Sequence, residues 1–312
     1  MRNLNRNIWI FGGTGFVGKA LVKLLSSFEN KTLNVLIHKN RPYQTLEHVN
    51  TFSGSLLQFN SDWFLKYRPD ILFHLARPAG RNLLTRFLAS LYGQIANARL
   101  IPILRTLPVP PVLVYVSGSL MYGPRSENSP ALEDSDLVPF SFATPYSRIE
   151  RPFLHARNKG FLDIRIARPG WILGPSSWFR EFFWKPYLLH GKVPCYGDGT
   201  QLMSIIHLDD CAAFIAALGR KDLKNHDLNV FCGSPISQKK FSCKLAELLQ
   251  ATIQIVPFKE TRRQYGKTVA LALTSSIPLG TRYEDLHHNV QCTYPDLESM
   301  LIHVVGILKY EQ

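Results

Sequence analysis

A glycine-rich segment near the start of the chain has the spacing of a phosphate-binding loop. Residues 8–11 form a short apolar run, typical of a buried strand, and Gly12, Gly15 and Gly18 follow it at once. Glycines at such a turn remove the Cβ atoms that would keep a phosphate away from the backbone, and the third lets the next helix pack closely. The N–H groups and positive dipole end of that helix attract an anion. The segment favours dinucleotide binding over a purely structural turn.

The residues after the second predicted strand bear on which dinucleotide is bound. A carboxylate at the end of that strand would bind the ribose 2′-hydroxyl of NAD. No Asp or Glu occurs between Asn30 and Leu46, and His38, Lys39 and Arg41 follow the strand instead. A basic cluster suits a 2′-phosphate, so the sequence favours NADP over NAD. A solvated basic loop would have the same composition.

The elements that must position these groups alternate along the chain. Short β-rich runs and segments of helical period predict an α/β fold, a doubly wound, Rossmann-like parallel sheet. The predicted strands cover residues 8–11, 33–37, 71–75, 112–116 and 163–167. The first predicted helix follows Gly15 and the second covers residues 83–107. A third begins at Asp209 or Asp210, and two more cover residues 238–249 and 297–308.

The alternation of strand-like and helix-like segments ends at Gly174. Prolines interrupt the aromatic-rich stretch that follows, which has neither helical nor strand periodicity. Either an apolar substrate pocket or a packed core explains these aromatic residues. We expect an NAD(P)-binding domain over residues 1–172. Residues 173–312 are expected to form a smaller mixed substrate-binding subdomain, with some segments returning to the Rossmann core.

Six segments, in order, resemble the extended short-chain dehydrogenase/reductase family of NAD(P)-dependent epimerases, dehydratases and reductases. They include Gly-Gly-Thr-Gly-Phe-Val-Gly at residues 12–18, Phe-His-Leu-Ala at 73–76 and Arg-Pro-Gly-Trp-Ile-Leu-Gly-Pro at 168–175, with further matches at 114–124, 145–146 and 206–210. With the basic cluster, the resemblance implies a cofactor site built from Gly12, Thr14, Gly15, Phe16, Val17, Gly18, His38, Lys39, Ser55, Leu75, Ala76, Arg168 and Pro169.

The catalytic groups that the resemblance implies are only partly present. In the family, a Ser or Thr polarises the substrate oxygen, a Tyr transfers a proton, and a Lys four residues later supplies a positive charge. Tyr146 matches the tyrosine, whereas Glu150 stands at the lysine position and Gly118 at the hydroxyl position. A carboxylate at that position disfavours a phenolate. We expect Tyr146 to transfer the proton, with Ser117 or Ser119 supplying the hydroxyl.

Composition and charge argue against several classes of protein. The chain is 46% hydrophobic, and 36 Lys and Arg against 23 Asp and Glu give a net charge of +13. The basic residues are scattered, without a basic block or a recognisable nucleic-acid-binding module, which argues against a nucleic-acid partner. No apolar run reaches the ~18 residues of a membrane span, and no signal-peptide core precedes the first glycines. We therefore expect a cytoplasmic protein without a membrane span.

The cysteines and the paired aspartates give no indication of a metal. Five cysteines, odd in number and widely spaced, indicate neither a disulfide framework nor a zinc site. Asp209 and Asp210 open a predicted helix and are expected to cap its N-terminus rather than to bind a metal.

Two functions remain open on the sequence alone. The first is an oxidoreductase or epimerase/dehydratase that acts on a small carbonyl or hydroxyl compound, with a sugar-derived compound as one option. Family members that act on sugar nucleotides often carry Arg-Asp where this chain has Met203 and Ser204. This difference weakens the case for a nucleotide-sugar substrate. The second is a dinucleotide-binding protein without turnover, with a regulatory or assembly role. The oligomeric state is open, a homodimer being one option.

Overall fold

Strands and helices alternate along most of the chain. The computed structural model describes residues 6–29, 31–38, 49–78, 80, 83–220 and 222–311. The strands are β1 (Arg6–Phe11), β2 (Lys31–Ile37), β3 (Val49–Ser53), β4 (Ile71–His74), β5 (Val112–Val116), β6 (Ile164–Pro169), β7 (Trp171–Leu173), β8 (Lys192–Tyr196), β9 (Leu202–His207), β10 (Asp227–Val230), β11 (Cys232–Ser237) and β12 (Thr252–Val256). The α-helices are α1 (Phe16–Ser26), α2 (Trp63–Lys66), α3 (Leu83–Arg105), α4 (Thr144–Asn158), α5 (Lys185–His190), α6 (Leu208–Ala217), α7 (Gln238–Leu249), α8 (Phe258–Tyr265), α9 (Lys267–Leu273), α10 (Glu284–Asn289) and α11 (Leu297–Tyr310).

The main sheet confirms the predicted doubly wound architecture. It has seven strands in the order β10-β6-β5-β4-β1-β2-β3, and every neighbouring pair from β3 to β6 is parallel. From β1 the chain builds the sheet outward through β2 and β3, and it then returns to β4 on the other side of β1. The strand order therefore reverses between β1 and β4, where ligands bind in open parallel sheets of this kind.

Burial on both faces explains why the central strands β1, β4 and β5 of this sheet are mostly apolar. The last four residues of β1 are each at most 2% exposed, as expected for a strand covered by helices on both sides. Trp9 and Phe11 both pack against Phe64 of α2, with ring centroids 4.8 and 6.2 Å apart. This aromatic core supports the strand that ends at the glycine-rich loop.

Contacts divide the chain into two compact units. The first contains Met1–Met121, Ala143–Arg168 and Ala212–Leu228, and the second contains Tyr122–Phe142, Pro169–Cys211 and Asn229–Gln312. The expected boundary at residue 172 lies close to the break after Arg168, and Ala212–Leu228 is a later segment that belongs to the first unit. Tyr122–Phe142, within the expected first domain, belongs to the second unit. The whole β1–α1 loop lies in the first unit.

The second unit contains the smaller sheets and the aromatic stretch that follows Gly174. Strands β11, β9 and β7 form a mixed sheet. Phe179 and Phe183 are fully buried, and the ring of Phe183 lies 4.9 Å from that of Phe241 of α7. Core packing therefore accounts for these aromatic residues, rather than the lining of a substrate pocket. Within the residues described, no helix is both long and apolar enough to cross a membrane.

The expected capping role of Asp210 at the start of α6 is wrong. Its carboxylate accepts hydrogen bonds from the backbone N–H groups of Thr293, at 2.7 Å, and Tyr294, at 3.0 Å. At the helix start, Nδ1 of His207 accepts the N–H of Asp209 at 3.1 Å. The prediction failed because a segment remote in sequence supplies the N–H groups that Asp210 binds.

Candidate functional site

The loop between β1 and α1 has a backbone that requires glycine at two positions. Gly12 has φ of +87°, and a Cβ there would lie 2.6 Å from the backbone nitrogen of Ala76. A Cβ on Gly18 would lie 2.0 Å from the carbonyl oxygen of Gly12. The N–H of Gly15 donates to that same carbonyl at 2.9 Å and closes the turn. These contacts hold the tight turn that a phosphate-binding loop needs.

The start of α1 is open to an anion. Helix α1 begins at Phe16, directly after the turn, and its first turn contains no acidic residue. The N–H groups of the first helical residues have no partner within a helix, so they and the positive helix end can bind a phosphate. Thr14, Gly15, Phe16 and Val17 are all partly exposed. The predicted cofactor loop is therefore accessible as well as correctly shaped.

The structure brings further predicted cofactor residues to the same edge of the sheet. The N–H of Leu75 donates to the carbonyl of Phe11 at 2.8 Å, which places Leu75 and Ala76 beside Gly12. Ser55 follows β3, and its hydroxyl accepts a hydrogen bond from the Tyr92 hydroxyl at 3.3 Å. These residues follow parallel strands that end at one edge, the position at which a dinucleotide crosses such a sheet.

The basic cluster is only partly covered by the structure. His38 directly follows β2 and is exposed. Lys39 and Arg41 lie outside the described residues. An exposed imidazole at the end of β2 is compatible with a 2′-phosphate, as the sequence predicts.

Arg168 and Pro169 do not lie on an accessible surface. The Arg168 side chain is fully buried, and its Nη2 lies 2.5 Å from Oε1 of Glu150. Pro169 is buried as well. The Arg168 side chain therefore supports the interior of the first unit, rather than the exposed position that direct cofactor contact would require. The sequence places Arg168 near the cofactor because the motif marks its strand end but does not indicate its partner.

Glu150 and Arg168 form a buried ion pair that also involves a predicted catalytic residue. The Ser117 hydroxyl donates to Oε2 of Glu150, and Nη1 of Arg168 donates to the Ser117 oxygen at 3.2 Å. Glu150 is 1% exposed, and Oδ2 of Asp227 lies 3.6 Å from the same Nη2 of Arg168. The Glu150 carboxylate is thus neutralised by Arg168 and does not act on Tyr146 as an isolated negative charge. The predicted strand over residues 163–167 ends one residue before Arg168, so the sequence did not indicate this pair.

Tyr146 lies in the first turn of α4 and is partly exposed. The guanidinium carbon of Arg77, which follows Ala76, is 4.2 Å from the centre of the Tyr146 ring. A cation over an aromatic face at this distance is attracted to the ring. None of the motifs quoted above includes Arg77. Its position one residue after the Phe-His-Leu-Ala segment is the signal that could have identified it.

Gly118 stands where the family motif has a hydroxyl side chain, and the structure leaves room for a side chain at this position. A Cβ built on Gly118 would meet nothing within 4 Å. Ser119, the next residue, is 7% exposed and begins a single 3₁₀ turn. Of the two predicted hydroxyl groups, that of Ser117 is held by Glu150, and that of Ser119 is buried.

His74, at the end of β4, is a packed residue. Its ring lies 5.6 Å from the rings of Phe11 and Tyr115. Burial lowers the pKa of His74 to about 4, although a hydrogen bond to Asn97 opposes the shift. His74 is therefore uncharged near neutral pH and adds no positive charge at the edge of the sheet.

The sequence matches a known family over most of its length. Residues 8–230 match the NAD dependent epimerase/dehydratase family. The dTDP-glucose 4,6-dehydratase of Streptomyces griseus is 28% identical over 162 residues, which are 51% of this chain and 48% of that protein. The match thus spans about half the length of this curated relative.

Solved structures of similar proteins have the same fold. The human epimerase family protein SDR39U1, solved with NADPH, has a TM-score of 0.75 at 19% identity, over 96% of this chain and 99% of that one. MoeE5 in complex with UDP-glucuronic acid and NAD has a TM-score of 0.77 at 21% identity, over 98% of this chain and all of that one. The dTDP-glucose 4,6-dehydratase of Bacillus anthracis, solved with NAD, has a TM-score of 0.76 at 17% identity, over 98% and 97% of the two chains. Together with the match over residues 8–230, the glycine-rich turn and the strand order establish that this chain belongs to the NAD dependent epimerase/dehydratase family.

Proposed function

We propose that this chain is a nicotinamide-dinucleotide-dependent oxidoreductase or epimerase that acts on a small carbonyl or hydroxyl compound, with Tyr146 as the proton-transfer residue. The observation that carries the proposal is the glycine-only turn at the point where the strand order reverses. The sugar-nucleotide ligands of the similar structures support a sugar-derived substrate.

The described residues fit a dinucleotide. The tight Gly12 turn and the open start of α1 would hold the pyrophosphate. Leu75 and Ala76 lie against Gly12 and would border the nucleotide on the β4 side. The bound nicotinamide would accept or donate a hydride, which no side chain of the chain can do.

We further propose that NADP is preferred over NAD, because the segment after β2 carries basic residues and no carboxylate. His38→Glu combined with Lys39→Glu would place two negative charges where the 2′-phosphate is expected. We predict that this variant weakens NADPH binding by about tenfold or more and changes NADH binding much less, which nicotinamide fluorescence titration measures. Equal losses for both nucleotides would contradict the assignment.

The proton-transfer machinery differs from the family pattern in its source of positive charge. Arg77 places a guanidinium over Tyr146, whereas the residue four positions after Tyr146 is buried in its own ion pair. We propose that Arg77 orients the Tyr146 ring and supplies the positive charge that the family takes from lysine. Arginine is a weaker substitute for a lysine ammonium, because its charge is delocalised and its geometry is fixed.

Tyr146→Phe tests the assignment directly. Loss of the hydroxyl is expected to lower kcat by at least about 100-fold, because general acid–base groups contribute on that scale. Binding of NADPH is expected to change by less than about threefold. The measurement is steady-state turnover of a panel of sugar nucleotides and small carbonyl compounds, followed by NADPH oxidation and by chromatography of the products, because an epimerase returns the hydride and oxidises no net NADPH. Tyr310→Phe, at a side chain that is 95% exposed, is the matched control.

Gly118→Ser is the complementary variant. The added side chain has open space around it, so the fold should tolerate it and kcat should rise. If the wild type binds NADPH saturably but turns over nothing in the panel, and Gly118→Ser does not rescue it, the chain is a binding protein without turnover. Activity that survives Tyr146→Phe would instead show that another group transfers the proton.

We also propose that the protein is a homodimer that uses α3. Exposed apolar side chains recur along this helix at the spacing of one face, at Leu84, Phe87, Leu88, Tyr92 and Ile95. A stripe of this kind is typical of an association surface. We predict a dimer by analytical ultracentrifugation and a monomer for Leu88→Lys with Ile95→Lys. A monomeric wild type would contradict the proposal.

A further inference from the structure

Two of the five cysteines meet in the second compact unit. Cys232 begins β11, and Cys292 lies in the segment between α10 and α11. Their Sγ atoms are 2.6 Å apart, and both side chains are partly exposed. This separation is little more than half an ångström longer than the ~2.05 Å of an S–S bond. The spacing of the cysteines in the sequence does not indicate the pair, because it depends on how the chain folds back.

Each cysteine is positioned by contacts that do not involve the other. Cys232 lies opposite Ile205 in the pairing of β11 with β9. On the other side, the buried Asp210 carboxylate binds the N–H groups of Thr293 and Tyr294, which directly follow Cys292. The backbone on both sides of the sulfur contact is thus anchored, by the pairing of β11 with β9 beside Cys232 and by the Asp210 hydrogen bonds beside Cys292.

The two thiols differ chemically. The hydrogen bond between them lowers the pKa of Cys292, against the effects of burial and of Asp210. The same hydrogen bond, followed by burial, raises the pKa of Cys232. Cys292 is therefore the better nucleophile of the pair, because the thiolate is the reactive form.

We propose that Cys232 and Cys292 form a site of reversible oxidation, at which a low-molecular-weight disulfide such as oxidised glutathione converts the two thiols into one disulfide. The Cys292 thiolate attacks one sulfur of the reagent, the reagent's S–S bond breaks, and one thiolate leaves. Cys232 then loses its proton to the departing thiolate and attacks the Cys292 sulfur, which releases the second half of the reagent as a thiolate. The cysteine pair loses two electrons and the reagent gains two. This inference is independent of the proposed function.

A divalent metal ion is the competing occupant of the same place. One oxygen of Asp210 and the two sulfur atoms all lie within 4.8 Å of one another. Tetrahedral zinc with Zn–S bonds of about 2.3 Å holds two thiolates nearly 4 Å apart. The contact between Cys232 and Cys292 is much shorter, so it favours a disulfide over a shared metal.

Oxidation of the reduced full-length chain tests the proposal. The protein is incubated with oxidised glutathione, the remaining thiols are alkylated, and a non-reducing digest is mapped by mass spectrometry. We expect a Cys232–Cys292 crosslink to form at least about tenfold faster than glutathione adds to the exposed Cys243, and to reverse with dithiothreitol. The oxidised form should also melt at a higher temperature, because the crosslink closes a long loop.

Single variants test separately which cysteine attacks the reagent and which one then closes the disulfide. Cys232→Ser should leave a stable glutathione adduct on Cys292, and Cys292→Ser should leave Cys232 reacting no faster than Cys243. Cys243→Ser is the matched control and should form the crosslink at the wild-type rate. The proposal is overturned if both cysteines stay available for alkylation after Cys243 has reacted. It is also overturned if the purified chain holds one zinc ion that both variants lose.

Discussion

Gly18→Ala is expected to abolish saturable binding of NADPH and NADH at concentrations up to millimolar. A Cβ at this position would lie 2.0 Å from the carbonyl oxygen of Gly12, so α1 would have to move away from the turn. The helix would then no longer present its first N–H groups to the pyrophosphate. The measurement is nicotinamide fluorescence titration of the wild type and the variant, with circular dichroism to confirm that both are folded.

Two further variants test whether the loss of binding comes from the phosphate-binding turn rather than from a general effect of the substitution. Gly306→Ala is the matched control, because a Cβ there meets nothing within 4 Å and alanine favours a helix. Val17→Asp places a carboxylate in the first turn of α1, where it suits the helix dipole but repels a phosphate. We expect Val17→Asp to keep the fold and lose the nucleotide. Undiminished affinity in both Gly18→Ala and Val17→Asp would show that the loop does not bind the cofactor.

Arg168→Met is expected to lower the free energy of unfolding by about 3–5 kcal/mol, the usual result of leaving one member of a buried ion pair alone. Arg168 and Glu150 are both almost fully buried. Methionine would fill much of the volume but leave the Glu150 carboxylate with the Ser117 hydroxyl as its remaining close partner in this cluster. Urea unfolding followed by circular dichroism measures the loss.

The double variant Glu150→Gln with Arg168→Met should recover a large part of this loss, because it removes both charges. Glu150→Lys alone, which restores the residue of the family pattern, should destabilise the chain as well, since it places an ammonium beside the buried guanidinium. This explains why a single substitution would not restore the family's catalytic lysine. An Arg168→Met variant within about 1 kcal/mol of the wild type would contradict the role given to the ion pair.

The features that the sequence predicted correctly depend on local chemistry. The apolar run of β1, the glycines that follow it and the helix after them lie within about twenty consecutive residues. Gly12 has a positive φ and a Cβ on Gly18 would meet the Gly12 carbonyl, so the tight turn itself follows from the local spacing. Five of the seven strands of the main sheet were predictable because burial on both faces requires continuous apolar runs. Strands β3 and β10 were not predicted, and β3 is largely exposed.

The features that the sequence did not predict depend on contacts between distant segments. The buried pair of Glu150 with Arg168, the stacking of Arg77 on Tyr146 and the anchoring of residues 293–294 by Asp210 all join different elements. The family pattern indicates that a negative charge at position 150 is unusual, but it does not indicate which residue neutralises that charge. Such pairings follow from the folded arrangement and are not encoded in the spacing of one segment.

A crystal structure of the chain with NADPH would show where the nucleotide binds. We expect the pyrophosphate against the N–H groups of Phe16 and Val17 at the start of α1, and the 2′-phosphate near His38. A nucleotide bound elsewhere, or crystals that admit none at saturating NADPH or NADH, would contradict this expectation.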